Sequence, residues 1–69
     1  MDLWGEIGSS AGIIYSTLSA NGKPMTSTDL KKKSKLKTDL FDMALGWLAR
    51  EGKVRVDSDK NKLMIALAE

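Results

Sequence analysis

The chain has 69 residues, enough for one small domain, and it contains no cysteine and no histidine. This composition excludes disulfide bonds and argues against zinc sites and the common nucleophile–base pairs, so we expect no enzymatic activity and no cofactor or metal. Residues 31–37 carry five of the eleven basic side chains and no acid, whereas the remainder carries six basic and nine acidic side chains. The protein is therefore predicted to be a mildly acidic body with one basic patch, which can attract phosphate or simply be a solvated helix end.

Apolar runs in the sequence are only a few residues long, which is too short to cross a membrane. The N-terminal stretch MDLWGEIG has an early acid and no basic segment, unlike a secretory signal peptide. We therefore expect a soluble cytoplasmic protein with no membrane partner, and no small-molecule substrate is predicted.

The first segment, residues 2–20, has the periodicity of an amphipathic helix and ends at Asn21-Gly22. Apolar residues spaced by three or four positions form its predicted core face: Leu3, Ile7, Ala11, Ile14 and Leu18. Beside them runs a small-residue stripe, which comprises Gly5, Gly8, Gly12, Ser16 and Ser19. Because glycine weakens a helix unless another backbone packs close to it, we expect tight packing of this stripe within the molecule, with a dimer contact as the alternative.

The second segment combines a short strand with a short helix. The pentapeptide GKPMT is too short for a helix and is predicted to add a brief edge strand. Thr26 and Asp29 fit a capping box, which predicts a helix over about residues 27–33 with Leu30 as its core anchor. The following SKLK is predicted to be a tight turn with Leu36 pointing inward.

The third segment is predicted to be a helix with Thr38 as its N-cap and an end near Glu51, marked by Gly52. Its core-facing half comprises Leu40, Phe41, Ala44, Leu45, Trp47 and Leu48, and its outward half comprises Thr38, Asp39, Asp42, Met43, Gly46, Ala49 and Arg50. Gly46 lies near the middle of the outward half, although glycine in a helix interior costs roughly 1 kcal/mol relative to alanine. We therefore expect that Gly46 allows a groove wall or a partner backbone to approach.

Residues 53–57 alternate between polar and apolar positions, and residues 63–67 place larger aliphatic residues on one face with Met64 and Ala66 opposite. This period-2 pattern on both sides of a polar connector predicts a β-hairpin. The apolar face of this hairpin comprises Val54, Val56, Leu63, Ile65 and Leu67. Residues 57–61 are predicted to form its tip.

Three helices followed by a C-terminal hairpin wing are typical of an α+β winged helix-turn-helix fold, here a single domain over residues 1–69. The segments IGSSAGIIYSTLSANG (7–22) and ALGWLAREGKV (44–54) resemble a family of small stand-alone winged-helix proteins of bacteria and archaea that is catalogued as a domain of unknown function. The string Gly-Trp-Leu-Ala-Arg-Glu is the most specific part of this resemblance, whereas Ser9 and Ser10 stand where the family usually carries an acid. The resemblance implies the winged-helix fold and a general expectation of DNA binding.

The leading hypothesis is binding of double-stranded DNA, since in such folds the third helix enters the major groove while the turn and the wing contact phosphates. The candidate phosphate-binding residues surround the turn or lie on the third helix and the wing: Lys31, Lys32, Lys33, Lys35, Lys37, Arg50, Arg55, Lys60 and Lys62. Neutralising about four phosphates would give a log–log salt slope of about −3.6.

The third helix is poorly suited to direct base reading. Asp39 and Asp42 occupy its N-terminal end, where base-contacting residues usually lie, and Arg50 is the only basic residue of its outward half. We attribute these acids to helix stabilisation, and Asp57 and Asp59 to turn chemistry, rather than to catalysis. The expected binding is therefore weak, directed mainly to the phosphate backbone and transcription-related, or absent.

The alternative hypothesis is a protein-interaction module that does not bind DNA. An uncharged strip on the third helix forms the candidate interaction surface, which comprises Met43, Gly46, Trp47 and Ala49. Such a strip suits contact with another helix, so the partner would be another protein or a second copy of the chain.

Overall fold

The computed structural model describes residues 3–68, which form three helices and three strands. In chain order these are α1 (Leu3–Asn21), β1 (Met25–Thr26), α2 (Ser27–Ser34), α3 (Thr38–Arg50), β2 (Val54–Asp59) and β3 (Lys62–Leu67). The hairpin of β2 and β3 is the wing. This order confirms the predicted α+β winged helix-turn-helix architecture, including the short strand between α1 and α2. The predicted helix start at residue 2 lies outside the described residues.

The three strands form one antiparallel sheet in the order β1-β3-β2, so that β1 is an edge strand as predicted. Ile65 occupies the centre of this sheet, because it lies opposite Met25 on one side and opposite Val56 on the other. The short strand before α2 therefore holds the start of α2 beside the wing.

The wing is longer than its polar composition indicates. β2 and β3 remain paired as far as Asp59 and Lys62, so the turn contains only Lys60 and Asn61. Lys60 has a φ of 59°, and a two-residue hairpin turn of the primed types requires a positive φ at this position. The predicted tip at residues 57–61 is therefore wrong in extent, because the polar residues before Lys60 still pair as strand.

The core lies between the helices and one face of the sheet. Ile14, Leu30 and Ile65 are fully buried and come from α1, α2 and β3. The other buried apolar side chains of this core are Ala11, Leu18, Met25, Phe41, Ala44, Leu48 and Val54. Leu36 packs against the core from the turn after α2, as predicted.

Three apolar residues of α1 and the wing that the periodicity assigns to the core are exposed instead. Leu3 is 51% exposed, and the buried part of α1 begins only at Ser10. Val56 and Leu63 are 41% and 45% exposed, although the strand register places them on the same face of the sheet as buried Ile65. The alternation is correct, but burial also requires a covering layer, and the helices cover this face incompletely toward the turn of the wing.

Local side-chain chemistry sets both ends of α2. The Thr26 hydroxyl accepts a hydrogen bond from the Asp29 backbone N–H at 3.2 Å, which confirms Thr26 as the N-cap. The helix extends to Ser34, whose buried hydroxyl donates to the Leu30 carbonyl oxygen at 2.6 Å. Lys35 then ends the helix with a left-handed φ of 57°.

The N-terminus of α3 begins one residue earlier than predicted. The Lys37 carbonyl oxygen accepts the first helical hydrogen bond, from the Phe41 backbone N–H at 2.8 Å, so Lys37 is the N-cap. Thr38 is therefore the first helical residue, and its assignment as the N-cap is wrong. Its hydroxyl instead accepts a hydrogen bond from the Lys31 ammonium group.

The small-residue stripe of α1 does not pack against the rest of the chain. A Cβ atom built on Gly8 or Gly12 would have no atom within 4 Å outside the helix itself and its immediate neighbours. Ser16 and Ser19 are exposed as well. The expectation of tight internal packing is wrong, because Gly8, Gly12 and Ser16 line an open concavity whose other wall includes Trp47 of α3. The neighbouring elements border the stripe without packing onto it.

Candidate nucleic-acid interface

The lysine cluster, defined as Lys31, Lys32, Lys33, Lys35 and Lys37, is built by the end of α2 and the turn that follows. Its first three members lie in the last turn of α2, where positive charge complements the negative end of the helix dipole. Lys35 is the left-handed cap of α2, and Lys37 is the N-cap of α3. All five members therefore lie within seven consecutive residues, from the last turn of α2 to the N-cap of α3.

Lys31 differs from the other four lysines. It is half-buried, and its ammonium group donates a hydrogen bond to the Thr38 hydroxyl. This contact joins the last turn of α2 to the first turn of α3. Since one of its donors is already engaged, Lys31 has a structural role in the turn, whereas Lys32, Lys33, Lys35 and Lys37 are exposed.

Three exposed lysines lie beside the C-terminal half of α1. Lys32, Lys33 and Lys35 line an open concavity of about 750 Å³ whose other lining residues are Ser16, Thr17, Ala20 and Asn21. We call this the lysine-lined concavity. Its far wall contributes hydroxyl and amide groups and no acid, so its electrostatic character is set by the lysines.

The tip of the wing lies beside the other end of α2. Asn61, Lys62 and Leu63 line a second concavity, of about 530 Å³, together with Thr26, Ser27, Thr28 and Asp29. The eight residues of α2 are roughly 12 Å long, so the tip of the wing and the lysine-lined concavity lie at opposite ends of this short helix. The structure therefore does not bring Lys62 and these lysines together around one concavity.

Positive and negative side chains share the outward face of the wing. The register places Arg55, Asp57 and Asp59 on the same face of the sheet, and Asp59 lies directly opposite Lys62. Two acids thus lie next to two of the predicted phosphate-binding residues, which reduces the positive field of the wing. Lys60 is exposed in the turn.

The outward half of α3 is solvent-exposed along its whole length. Asp39 and Asp42 are exposed in its first half, and Arg50 is exposed at its end. The predicted interaction strip is also exposed, since Met43 and Trp47 are each 41% exposed and Gly46 and Ala49 lie on the same half of the helix. The structure thus presents the strip to solvent and leaves its function a prediction.

An aromatic contact joins α1 to α3 at the edge of this strip. The rings of Trp4 and Trp47 meet edge to face, with centroids 6.3 Å apart and planes at 70°. The periodicity places Trp47 on the core-facing half of α3, but Trp47 is 41% exposed and its ring contacts Trp4, which is itself 72% exposed. Sequence reasoning missed this pair, because no local spacing indicates that two distant tryptophans meet.

Alanine substitutions at Gly46 and Gly52 are expected to change stability in opposite directions. A Cβ at Gly46 meets open space in a helix interior, so G46A should raise the free energy of unfolding by about 1 kcal/mol. Gly52 has a φ of 74°, which alanine rarely adopts, so G52A should lower it by about 1 kcal/mol or more. Urea unfolding followed by circular dichroism measures both changes. If both variants gain or both lose stability, the backbone conformations described for Gly46 and Gly52 are wrong.

Comparison with known proteins identifies the family. Residues 1–67 match the family described as Winged helix-turn-helix domain (DUF2582). The chain belongs to this winged helix-turn-helix family. It is also 39% identical over 67 residues to the uncharacterized protein MJ1608 of Methanocaldococcus jannaschii, a match that covers 96% of each chain. These findings confirm the resemblance drawn from residues 7–22 and 44–54.

Within residues 3–68, no helix combines the length and the apolar character that a membrane crossing requires.

Proposed function

We propose that this winged-helix protein binds double-stranded DNA weakly, through phosphate contacts and without strong sequence preference, in a transcription-related role. The observation that supports this proposal is the lysine cluster, which places five ammonium groups at the α2–α3 turn of a winged helix-turn-helix domain. In such domains this turn and the start of the following helix approach the DNA backbone. We further propose a cytoplasmic location, where DNA is accessible, and no catalytic role.

The distribution of charge favours phosphate contacts over base reading. Asp39 and Asp42 are exposed on the first half of α3, where they would repel the phosphates that flank the major groove. The wing contributes little net positive charge on its outward face because of Asp57 and Asp59. The four exposed lysines of the cluster therefore supply most of the expected attraction.

Fluorescence anisotropy with a labelled random-sequence duplex tests this proposal. Four neutralised phosphates predict a log–log salt slope of about −3.6 and a dissociation constant of roughly 10⁻⁴ to 10⁻⁶ M. A second duplex of different sequence should bind with the same affinity. If no salt-dependent binding appears at tens of micromolar protein in 50 mM salt, the proposal is wrong.

The second candidate function is a protein-interaction module. It is favoured by the exposed strip of Met43, Gly46, Trp47 and Ala49, because a helix that reads DNA would carry polar side chains there. An NMR titration with generic duplex DNA separates the two functions. Shifts at residues 31–37 and 55–62 would support DNA binding, whereas their absence would leave the strip as the candidate surface.

A further inference from the structure

The exposed side of α1 has no charged residue. Eleven of its 19 residues are exposed, and all eleven are apolar, small or hydroxyl-bearing. The only charged residue of α1 is Glu6, which is half-buried near the first turn. An amphipathic helix at the surface of a monomer normally carries charged side chains on its outward face, so the exposed side of α1 resembles a contact surface.

Ile13 lies midway along the length of this exposed side and at one edge of it around the helix. It is 44% exposed, although the next residue, Ile14, is fully buried. At 100° per residue, Ile13 points well away from the core, and its neighbours on the same side are Ser9, Ser16 and Ala20. These small neighbours leave the Ile13 side chain as the most prominent apolar group of this surface.

Opposite charges lie near the two ends of the same surface. Glu6 lines a concavity of about 470 Å³ together with Gly5, Ser9, Ser10 and Leu40. The lysine-lined concavity lies at the other end, beside Ser16 and Ala20. Glu6 and Ala20 are each seven residues from Ile13, so the acid and the lysines are placed symmetrically about it.

We propose that two copies of the chain form a two-fold symmetric dimer in which the Ile13 sides of their α1 helices pack antiparallel. A two-fold axis at Ile13 brings Glu6 of each copy to the lysine-lined concavity of the other. The surface is then uncharged where the helices meet and complementary in charge at both ends. This proposal concerns α1 and does not depend on DNA binding.

The size of this surface indicates that the dimer is a small-interface contact. The 19 residues of α1 span roughly 28 Å, and a helix about 10–12 Å wide then offers roughly 300 Å² per copy. Stable protein interfaces bury about 800 Å² per partner. We therefore expect a weak and reversible dimer that forms only at high protein concentration.

Substitution of Ile13 tests the contact at the axis. Sedimentation velocity from about 20 μM to 1 mM protein, without nucleic acid, measures self-association, which I13K should weaken more than about 10-fold by placing two ammonium groups together at the axis. Because Ile13 is exposed, I13K should retain the circular dichroism spectrum and thermal stability of the natural chain. Y15K provides the matched control, since Tyr15 is 37% exposed and points to the other side of α1.

A charge exchange tests the antiparallel arrangement. E6K and K33E should each weaken the dimer about 5-fold, and the double variant E6K/K33E should restore it, because each new lysine then faces a new glutamate. Within one chain, at least ten residues of α1, or roughly 15 Å, separate Glu6 from the α1 residues of the lysine-lined concavity. This exceeds the ~10 Å Debye length at 0.1 M salt, so only contact between copies can restore association.

Three results would overturn the dimer: a monomer at every concentration, equal effects of I13K and Y15K, or additive losses in E6K/K33E. Dilution-dependent NMR shifts at Met43 and Gly46 instead of Ile13 would place self-association on α3 and also contradict it. Failure of the dimer leaves the DNA proposal untouched, since anisotropy with duplex DNA measures that binding separately.

Discussion

Replacing Leu30 with alanine is expected to remove a large part of the free energy of unfolding at 25 °C. Leu30 is fully buried and anchors the short helix α2 to the core between α1 and β3. A buried Leu-to-Ala change typically costs about 2–5 kcal/mol, because it removes apolar contacts and leaves a cavity. At roughly 0.05–0.15 kcal/mol per residue, a chain of 69 residues has only about 3.5–10 kcal/mol in total. Urea unfolding followed by circular dichroism measures the loss.

Leu63→Ala is the matched control for this experiment. It is the same chemical change, but Leu63 is 45% exposed on the wing, so we expect a loss below about 1 kcal/mol. The contrast between the two leucines tests the position of α2 directly. Equal losses for L30A and L63A would mean that α2 does not pack into the core as described.

Neutralising the four exposed lysines of the cluster is expected to abolish most DNA binding. The variant K32Q/K33Q/K35Q/K37Q retains side chains of good helix propensity and removes four positive charges. If these lysines make the four phosphate contacts, the magnitude of the log–log salt slope should decrease from about 3.6 toward zero. The affinity for DNA at 50 mM salt should fall more than about 100-fold. Anisotropy with the random duplex measures both quantities.

A second quadruple variant separates the position of the charges from their number. K23Q/K53Q/K60Q/K62Q changes the net charge by the same amount but removes lysines outside the cluster, including both from the tip of the wing. We expect this variant to retain most of the salt slope, because Asp57 and Asp59 already offset the positive charge of the wing. An equal loss of affinity in both variants would show that net charge, and not the lysine cluster, drives binding.

Features that depend on near neighbours in the chain were predictable from the sequence. The Thr26 cap of α2 and the stop at Gly52 arise from hydrogen bonds and backbone conformations within a few residues. The alternation of Val54 and Val56 with polar residues likewise identified β2. These elements occur in the predicted order, with boundaries that differ by a residue or two in the helices and by three residues at the wing.

Features that depend on which element covers a surface were not predictable. The glycines of α1 indicated internal packing, yet Gly8 and Gly12 face open space. Leu3 and Leu63 satisfy the apolar periodicity of their elements but are exposed. Trp47 belongs to the core-facing half of α3 by spacing, but it meets Trp4 in a partly exposed pair.

The same distinction applies to the candidate interface. The amino-acid sequence by itself determined the winged-helix order of elements and the concentration of five lysines at the end of α2 and in the turn to α3. Only the tertiary structure decided that Lys31 is bound to Thr38, that three other lysines face α1, and that the tip of the wing lies at the far end of α2. The physical reason is that periodicity sets which residues share one side of an element, whereas contacts between residues distant in the chain decide what that side meets.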